Sequence, residues 1–168
     1  MAPDRSYYQR LIARDENEAE GLVRDYLKTH PAADIFDEVF VPALNHAQQD
    51  HRRDRITDAD IRFLERTTRQ LVEELEVPRP PGDPALRSAT TVLGLPAQEE
   101  GDEIALLMLK QRLDPGRFTM EVASPDLLAS EGIELVEARA PAAVVIGALA
   151  GAGHALHLRY LCKRLRAR

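Results

Sequence analysis

A proline-rich stretch, VPRPPGDPALRS at residues 77–88, constrains the fold of this chain more than any other feature. Its four prolines and one glycine disfavour a helix or a central strand and are typical of a stiff, extended linker. The hydrophobic residues also change their period across this stretch. We therefore predict a helical domain at residues 1–77, a linker at residues 78–89 and a second domain at residues 90–168.

The residues before the linker show helical periodicity throughout. Their apolar side chains recur at three- and four-residue spacing, which predicts amphipathic helices. Pro42 should kink the third helix or mark its first turn, and Thr57 is the predicted N-cap of the fourth. Four helices with short connections are typical of a helical bundle. The predicted helices cover residues 6–15, 16–30, 33–54 and 56–76.

After the linker, apolar strands alternate with helices. The predicted strand at residues 90–95 is a continuous β-branched and apolar run, and the one at 142–149 is fully apolar, which indicates burial on both faces. This order predicts an α/β domain with a small, truncated, doubly wound parallel sheet of the flavodoxin/Rossmann-like type. A further strand is expected at 118–123, with helices at 101–113, 124–140 and 154–168.

The charge and the cysteine content limit the partners and the compartment. A net charge of −6 argues against nucleic acid as a partner. Cys162 is the only cysteine, so the chain has no internal disulfide, and a packed thiol in a reducing cytoplasm is expected. No apolar run approaches the roughly 18–20 residues that span a bilayer. We expect a cytoplasmic protein.

The loops at the carboxyl ends of the strands are the expected ligand-binding edge. The first, residues 95–101, leads into a helix whose start carries four acidic residues, so we predict a capped helix that disfavours phosphate. In the loop 123–126, Ser124 is the predicted N-cap of the next helix. The third, residues 147–153, is rich in glycine but lacks the spacing of a dinucleotide fingerprint.

The histidines do not indicate a metal site or a catalytic group. His154 and His157 are three residues apart on one predicted helix, but no third ligand lies near them in the sequence. His46 and His51 lie in a stretch that is typical of a solvated helix end and loop. We therefore expect no metal and no enzymatic activity.

A helical bundle followed by a small doubly wound domain resembles the cobalamin-binding modules of corrinoid proteins and methionine synthase. In that family, a strand–turn–helix carries an Asp-x-His-x-x-Gly motif, whose histidine ligates cobalt from below and is held by the aspartate. The resemblance places Pro96, Gln98 and Gly101 at the aspartate, histidine and glycine. It also places Gly147 and Leu149 at the family's Ser/Thr-x-Leu.

The resemblance implies a cofactor-binding edge without the axial histidine. An amide cannot replace imidazole as a strong cobalt ligand, and proline has no carboxylate to orient one. Gly147 would leave the channel for the nucleotide tail of the cofactor open. The cofactor-binding positions implied are Gln98, Gly101, Ser124, Gly147 and Leu149, with cobalamin as the candidate cofactor.

Three segments resemble the soluble regions that follow autoinducer-2-exporter-type permeases: YYQRLIARDENEAEGLVRDYL, DEVFVPALNHAQQD and LRYLCKRLRAR. This likeness implies a cytoplasmic sensor or regulatory domain, attached to a membrane permease or a partner of one.

Three alternatives for the function stay open. The first is a non-catalytic sensor with a degenerate cobalamin-binding fold. The second is a genuine binder of a corrinoid or other small ligand between bundle and sheet, and the third is a hydrolase or transferase. A homodimer through the uncovered sheet edge also stays open.

Overall fold

The computed structural model describes residues 2–78, 89–149 and 155–167. The chain divides into two compact units, Met1–Pro78 and Arg79–Arg168, which we call the helical unit and the α/β unit. Residues 79–88 of the predicted linker lie outside the described residues, so its structure and the exact domain boundaries stay predictions.

The helical unit contains the four predicted helices: α1 (Pro3–Ile12), α2 (Glu16–Leu27), α3 (Val41–Arg52) and α4 (Asp58–Glu74). A π-helical turn, Phe36–Phe40, leads directly into α3. Pro42 lies in the first turn of α3, as predicted, where its missing N–H has no intrahelical partner to lose. Thr57 is the N-cap of α4, because its hydroxyl accepts from Asp60 N at 3.3 Å while the Asp60 carboxylate accepts from Thr57 N at 2.9 Å.

The core of the helical unit is aromatic at its centre. The rings of Tyr7 and Phe40 lie 5.2 Å apart, and both residues are fully buried. The Tyr7 hydroxyl shares a hydrogen bond of 3.0 Å with Thr68, so neither buried hydroxyl lacks a partner. Burial raises the pKa of Tyr7 well above its usual range, which keeps the phenol neutral at physiological pH.

The α/β unit has three parallel strands among its described residues, in the order β2-β1-β3. This order is the beginning of the flavodoxin-like arrangement. The helices alternate with the strands along the chain, as predicted. The elements are β1 (Thr90–Pro96), α5 (Glu100–Arg112), β2 (Phe118–Val122), α6 (Ala129–Arg139), β3 (Ala143–Gly147) and α7 (Ala155–Arg166).

Both faces of the sheet are covered by apolar side chains of helices. On one face, Val92 and Met120 of the sheet pack with Leu106 of α5. On the other face, Leu93 packs against side chains of α6 and α7, among them Leu165. Successive residues of β1 therefore lie on opposite faces, which explains why the strand is apolar from Val92 to Pro96, where it is buried. The predicted fold class, a helical region followed by a doubly wound parallel sheet, is confirmed.

One predicted helix begins later than expected. Ser124 is not the N-cap of α6: its hydroxyl instead accepts from Asp126 N at 3.2 Å and closes a local turn. The helix starts at Ala129, where the Glu131 carboxylate accepts from Leu128 N at 2.7 Å. Among the described helices, none combines the length and the apolar character needed to cross a membrane.

Candidate functional site

The candidate site lies at the carboxyl edge of the sheet, where β1 and β3 end side by side. Pro96 of β1 is in register with Gly147 of β3, and Ala97 N donates to Gly147 O at 2.8 Å. Because β2 lies on the opposite side of β1, the strand order changes direction at this point. In open α/β sheets, such a switch point is the usual place for a ligand.

A buried carboxylate, that of Asp102, lies at this edge. Its side chain is fully buried in the first turn of α5. Oδ2 accepts hydrogen bonds from Gln98 N and Glu99 N, each at 3.1 Å, and Oδ1 accepts from Leu149 N at 2.7 Å. The carboxylate thus connects the loop after β1 with the residues after β3, and we call this arrangement the Asp102 bridge.

The Asp102 bridge uses the groups that a bound anion would need. A helix N-terminus attracts anions through its free backbone N–H groups and its dipole. Here Asp102 supplies that negative charge from within the chain and accepts two loop N–H groups directly before α5. The predicted capping of this helix is confirmed. The sequence contains one signal for the bridge, because helical spacing places Asp102 on the same face as the apolar Leu106. This signal is hard to recognise, because Asp102 is one of four acidic residues at the start of the helix.

Four of the positions that the resemblance assigns lie close to Asp102. Gln98 lies in the loop after β1 with its side chain exposed, and Gly101 is buried in the first turn of α5. Leu149 is buried beyond the end of β3. The structure therefore places Gln98, Gly101, Gly147 and Leu149 around the Asp102 bridge. Their role in binding a cofactor stays a prediction.

The space beside Gly147 is filled, so the expectation of an open channel at this residue is wrong. A β-carbon placed on Gly147 would lie 2.6 Å from Leu106 Cγ and 2.9 Å from Asp102 O. The glycine is required because the backbone of β3 approaches α5 too closely for any side chain. The residue therefore serves the packing of strand and helix.

We predict that Gly147→Ser, which introduces the family's hydroxyl, destabilises the α/β unit by about 1–3 kcal/mol, because the added atoms clash with a backbone oxygen. Gly132→Ala on α6 is the matched control. Its β-carbon meets nothing closer than 3.9 Å, and alanine favours a helix. Urea unfolding of the two variants measures both effects, and equal stability of Gly147→Ser and the unchanged chain would contradict this explanation.

Ser124 lies at a different place from the other four candidates. It lines a small cavity at the ends of β1 and β2, together with Pro96, Ala97 and His157 of α7. The volume of this cavity is about 20 Å³, which is room for roughly one water molecule. This cavity is too small for a metabolite, and Gln98 is not among the described residues that line it.

Two of the three histidines of the helical unit, His46 and His51, are paired with carboxylates. His46 Nε2 lies 3.0 Å from Asp4 Oδ2, and His51 Nε2 lies 2.7 Å from Asp58 Oδ1. The predicted solvated stretch therefore includes two specific pairs that sequence spacing did not reveal. His154 lies outside the described residues. In the described part of the chain, no group of three or more histidine, cysteine, aspartate or glutamate side chains is arranged to hold a metal ion.

Residues 4–76 match the family model of the B12 binding domain. The match covers α1 to α4, and therefore supports a cobalamin-binding-domain family for the helical unit. The order of elements, a helical region followed by a Rossmann-like α/β module, agrees with this class of protein. A comparison with curated proteins finds no match.

The residues of the α/β unit do not fit a cobalamin whose cobalt is ligated by the protein. The position that the resemblance assigns to the axial histidine carries the amide of Gln98, a poor ligand for cobalt. The Asp102 bridge occupies three backbone N–H groups at the switch point, and Leu106 fills the space where a side chain on Gly147 would lie. The family match of the helical unit therefore favours cobalamin binding, whereas the chemistry of the α/β unit disfavours ligation of cobalt by the protein.

Proposed function

We propose that this chain is a non-catalytic regulatory domain, built on a cobalamin-binding fold that has lost its cobalt ligand. One observation carries the proposal: the Asp102 bridge, with three backbone N–H groups bonded to one buried carboxylate at the switch point. A site used by a cofactor keeps such donors available for it. Here they hold two loops of the protein together, which favours a structural and regulatory role over catalysis.

Titration with hydroxocobalamin tests this proposal directly. We expect the visible spectrum of the cofactor to stay unchanged in the presence of the purified chain, because the position assigned to the axial histidine carries the amide of Gln98. The cofactor should also separate from the protein in gel filtration. A shift of the cobalamin bands that saturates with protein concentration would overturn the loss of cobalt ligation.

A double variant, Pro96→Asp with Gln98→His, tests the placement of the motif. If these positions correspond to the family's aspartate and histidine, the variant should gain cobalamin binding, with the spectrum of a histidine-ligated cobalt. Gln98→Ala in the same Pro96→Asp background is the matched control and should remain colourless. Because the Asp102 bridge and Leu106 also occupy this edge, a folded double variant that fails to bind would mean that the motif is placed wrongly or that these residues exclude the cofactor.

A second candidate function, corrinoid binding without a protein ligand below cobalt, is favoured by the family match at residues 4–76. In that case the cofactor would keep its own base or a water on cobalt. Gel filtration then separates the two candidates, since the colour would co-elute with the protein while the spectrum still reports the cofactor's own ligand.

As the partner of this regulatory domain we propose a permease of the autoinducer-2-exporter type. The support is the likeness of three segments to the soluble regions of such proteins. Co-expression with such a permease from the same genome should give a complex in detergent and a change in transport rate. An unchanged rate, with no co-purification, would remove the transporter from the proposal.

Light scattering of the chain alone tests whether two copies pair through β2 or β3, the edge strands of the described sheet. The measured mass is compared with the monomer mass of 18.8 kDa.

A further inference from the structure

A cavity of about 360 Å³ lies between α1 and α3 of the helical unit. We call it the α1–α3 cavity. Its volume falls within the range of small-molecule sites, roughly 300–1,000 Å³. The two helices meet here through specific pairs: Asp4 with His46, and Tyr8 with Asp50. The cavity lies within the helical unit alone and is independent of the sheet edge described above.

The acidic group in this cavity, Asp50, already has partners for both of its oxygens. The Tyr8 hydroxyl donates to Oδ2 at 2.8 Å, and Arg55 Nη1 donates to Oδ1 at 3.2 Å. Burial and the neighbouring carboxylate raise the pKa of Tyr8, so its hydroxyl remains a donor at physiological pH. The charge of Asp50 is therefore balanced by Arg55 within the cavity wall.

Two further arginines face the cavity without such a partner. Arg5 of α1 and Arg53 at the end of α3 are exposed, and neither guanidinium is paired with a carboxylate among the residues that the structure describes. Three arginines thus line the cavity against one aspartate, in a chain whose net charge is −6. The local positive charge has the opposite sign to that of the whole protein, which makes this cavity attractive to a small anion.

We infer that the α1–α3 cavity binds a small organic phosphate. Arg5 of α1 and Arg53 at the end of α3 both line the cavity, and a planar guanidinium group suits the tetrahedral oxygens of a phosphate, to which arginine donates two parallel hydrogen bonds. The cavity is larger than a phosphate ion alone requires, and polar side chains, Gln9 and Gln49, supply hydrogen-bonding groups for the rest of a polar ligand. Such a compound would be the signal of a sensor domain, but the inference does not depend on cobalamin.

Calorimetric titration of the full chain with glycerol phosphate tests this site. We expect saturable binding of glycerol phosphate, weaker binding of inorganic phosphate, and no binding of glycerol. In the double variant Arg5→Gln with Arg53→Gln, the dissociation constant should rise about tenfold or more, because two charge-assisted contacts are lost. Arg24→Gln, which removes an exposed arginine of α2 outside the cavity, is the matched control and should leave the affinity unchanged.

Two further measurements complete the test. Amide chemical shifts of Tyr8, Asp50 and Arg53 should move with glycerol phosphate in the unchanged chain, which locates the site without any substitution. Succinate, a dianion without phosphorus, should bind more weakly. Succinate binding equal to that of glycerol phosphate would overturn the phosphate assignment. No heat at about 10 mM ligand, or an equal loss of affinity in Arg24→Gln, would overturn the site itself.

Discussion

Replacing Asp102 with alanine is expected to destabilise the α/β unit by about 3 kcal/mol or more, because the three N–H groups of Gln98, Glu99 and Leu149 lose their acceptor. The bond to Leu149 is buried, so water cannot replace it without opening the edge of the sheet. Urea unfolding measures the loss. Hydrogen–deuterium exchange should show faster exchange in the segments 97–101 and 147–149 than in the helical unit.

The isosteric variant Asp102→Asn separates the carboxylate from the shape of the side chain. An amide turns its NH₂ towards a backbone donor in either orientation, so we expect this variant to be destabilised as well, although less than alanine. Glu134→Ala, which removes an exposed carboxylate of α6, is the control and should change stability by less than about 0.5 kcal/mol. An Asp102→Asn chain as stable as the unchanged protein would show that the bridge is not what holds the edge together.

Truncating Phe40 to alanine is expected to destabilise the helical unit by about 3–5 kcal/mol. The ring is fully buried and lies 5.2 Å from that of Tyr7 and 6.3 Å from that of Phe36, so its removal leaves a cavity at the centre of the core. The melting temperature of this unit should fall by more than about 10 °C, given the size of a small domain. Tyrosine near-ultraviolet circular dichroism follows this transition through Tyr7.

Phe63→Ala is the matched truncation. That ring is half-buried on α4, and Arg14 Cζ lies 4.5 Å from its centroid, so its loss should cost only about 1 kcal/mol. Phe40→Leu, which fills most of the cavity, should fall between the two. If Phe40→Ala and Phe63→Ala have the same melting temperature, the aromatic cluster is not the centre of the core.

Much of the fold could be predicted from local patterns. The helices of the first unit and the alternation of strands and helices in the second follow from the spacing of apolar residues, and Thr57 and Pro42 mark helix starts in the way their chemistry requires. The start of α6 could not be read in the same way. Ser124 suits a helix N-cap and a local turn equally well, and only the competing cap of Glu131 on Leu128 N decides between them.

The edge of the sheet that carries the candidate site could be predicted from the sequence, but the side chains that fill this edge could not. The carboxyl ends of parallel strands identify the edge, and the spacing of Gln98 and Gly101 places them in the loop and the first helical turn. Whether that edge is open depends on the side chains that fill it. Leu106 beside Gly147 and the carboxylate of Asp102 occupy part of it, and neither residue differs in kind from many others on an amphipathic helix.

The sequence by itself determined that a helical part precedes a part in which strands and helices alternate, and hence the fold class. It also determined that position 98 has no imidazole. Hydrophobic period and residue identity are local properties of the chain, so both can be read directly. Only the tertiary structure decided what Asp102 bonds to and which arginines share a cavity. Asp102 and Leu149 are 47 positions apart and meet because β3 pairs with β1. Arg5 and Arg53 face one cavity because α1 packs along α3. Contacts over such distances depend on which elements become neighbours, and no short stretch of sequence contains that information.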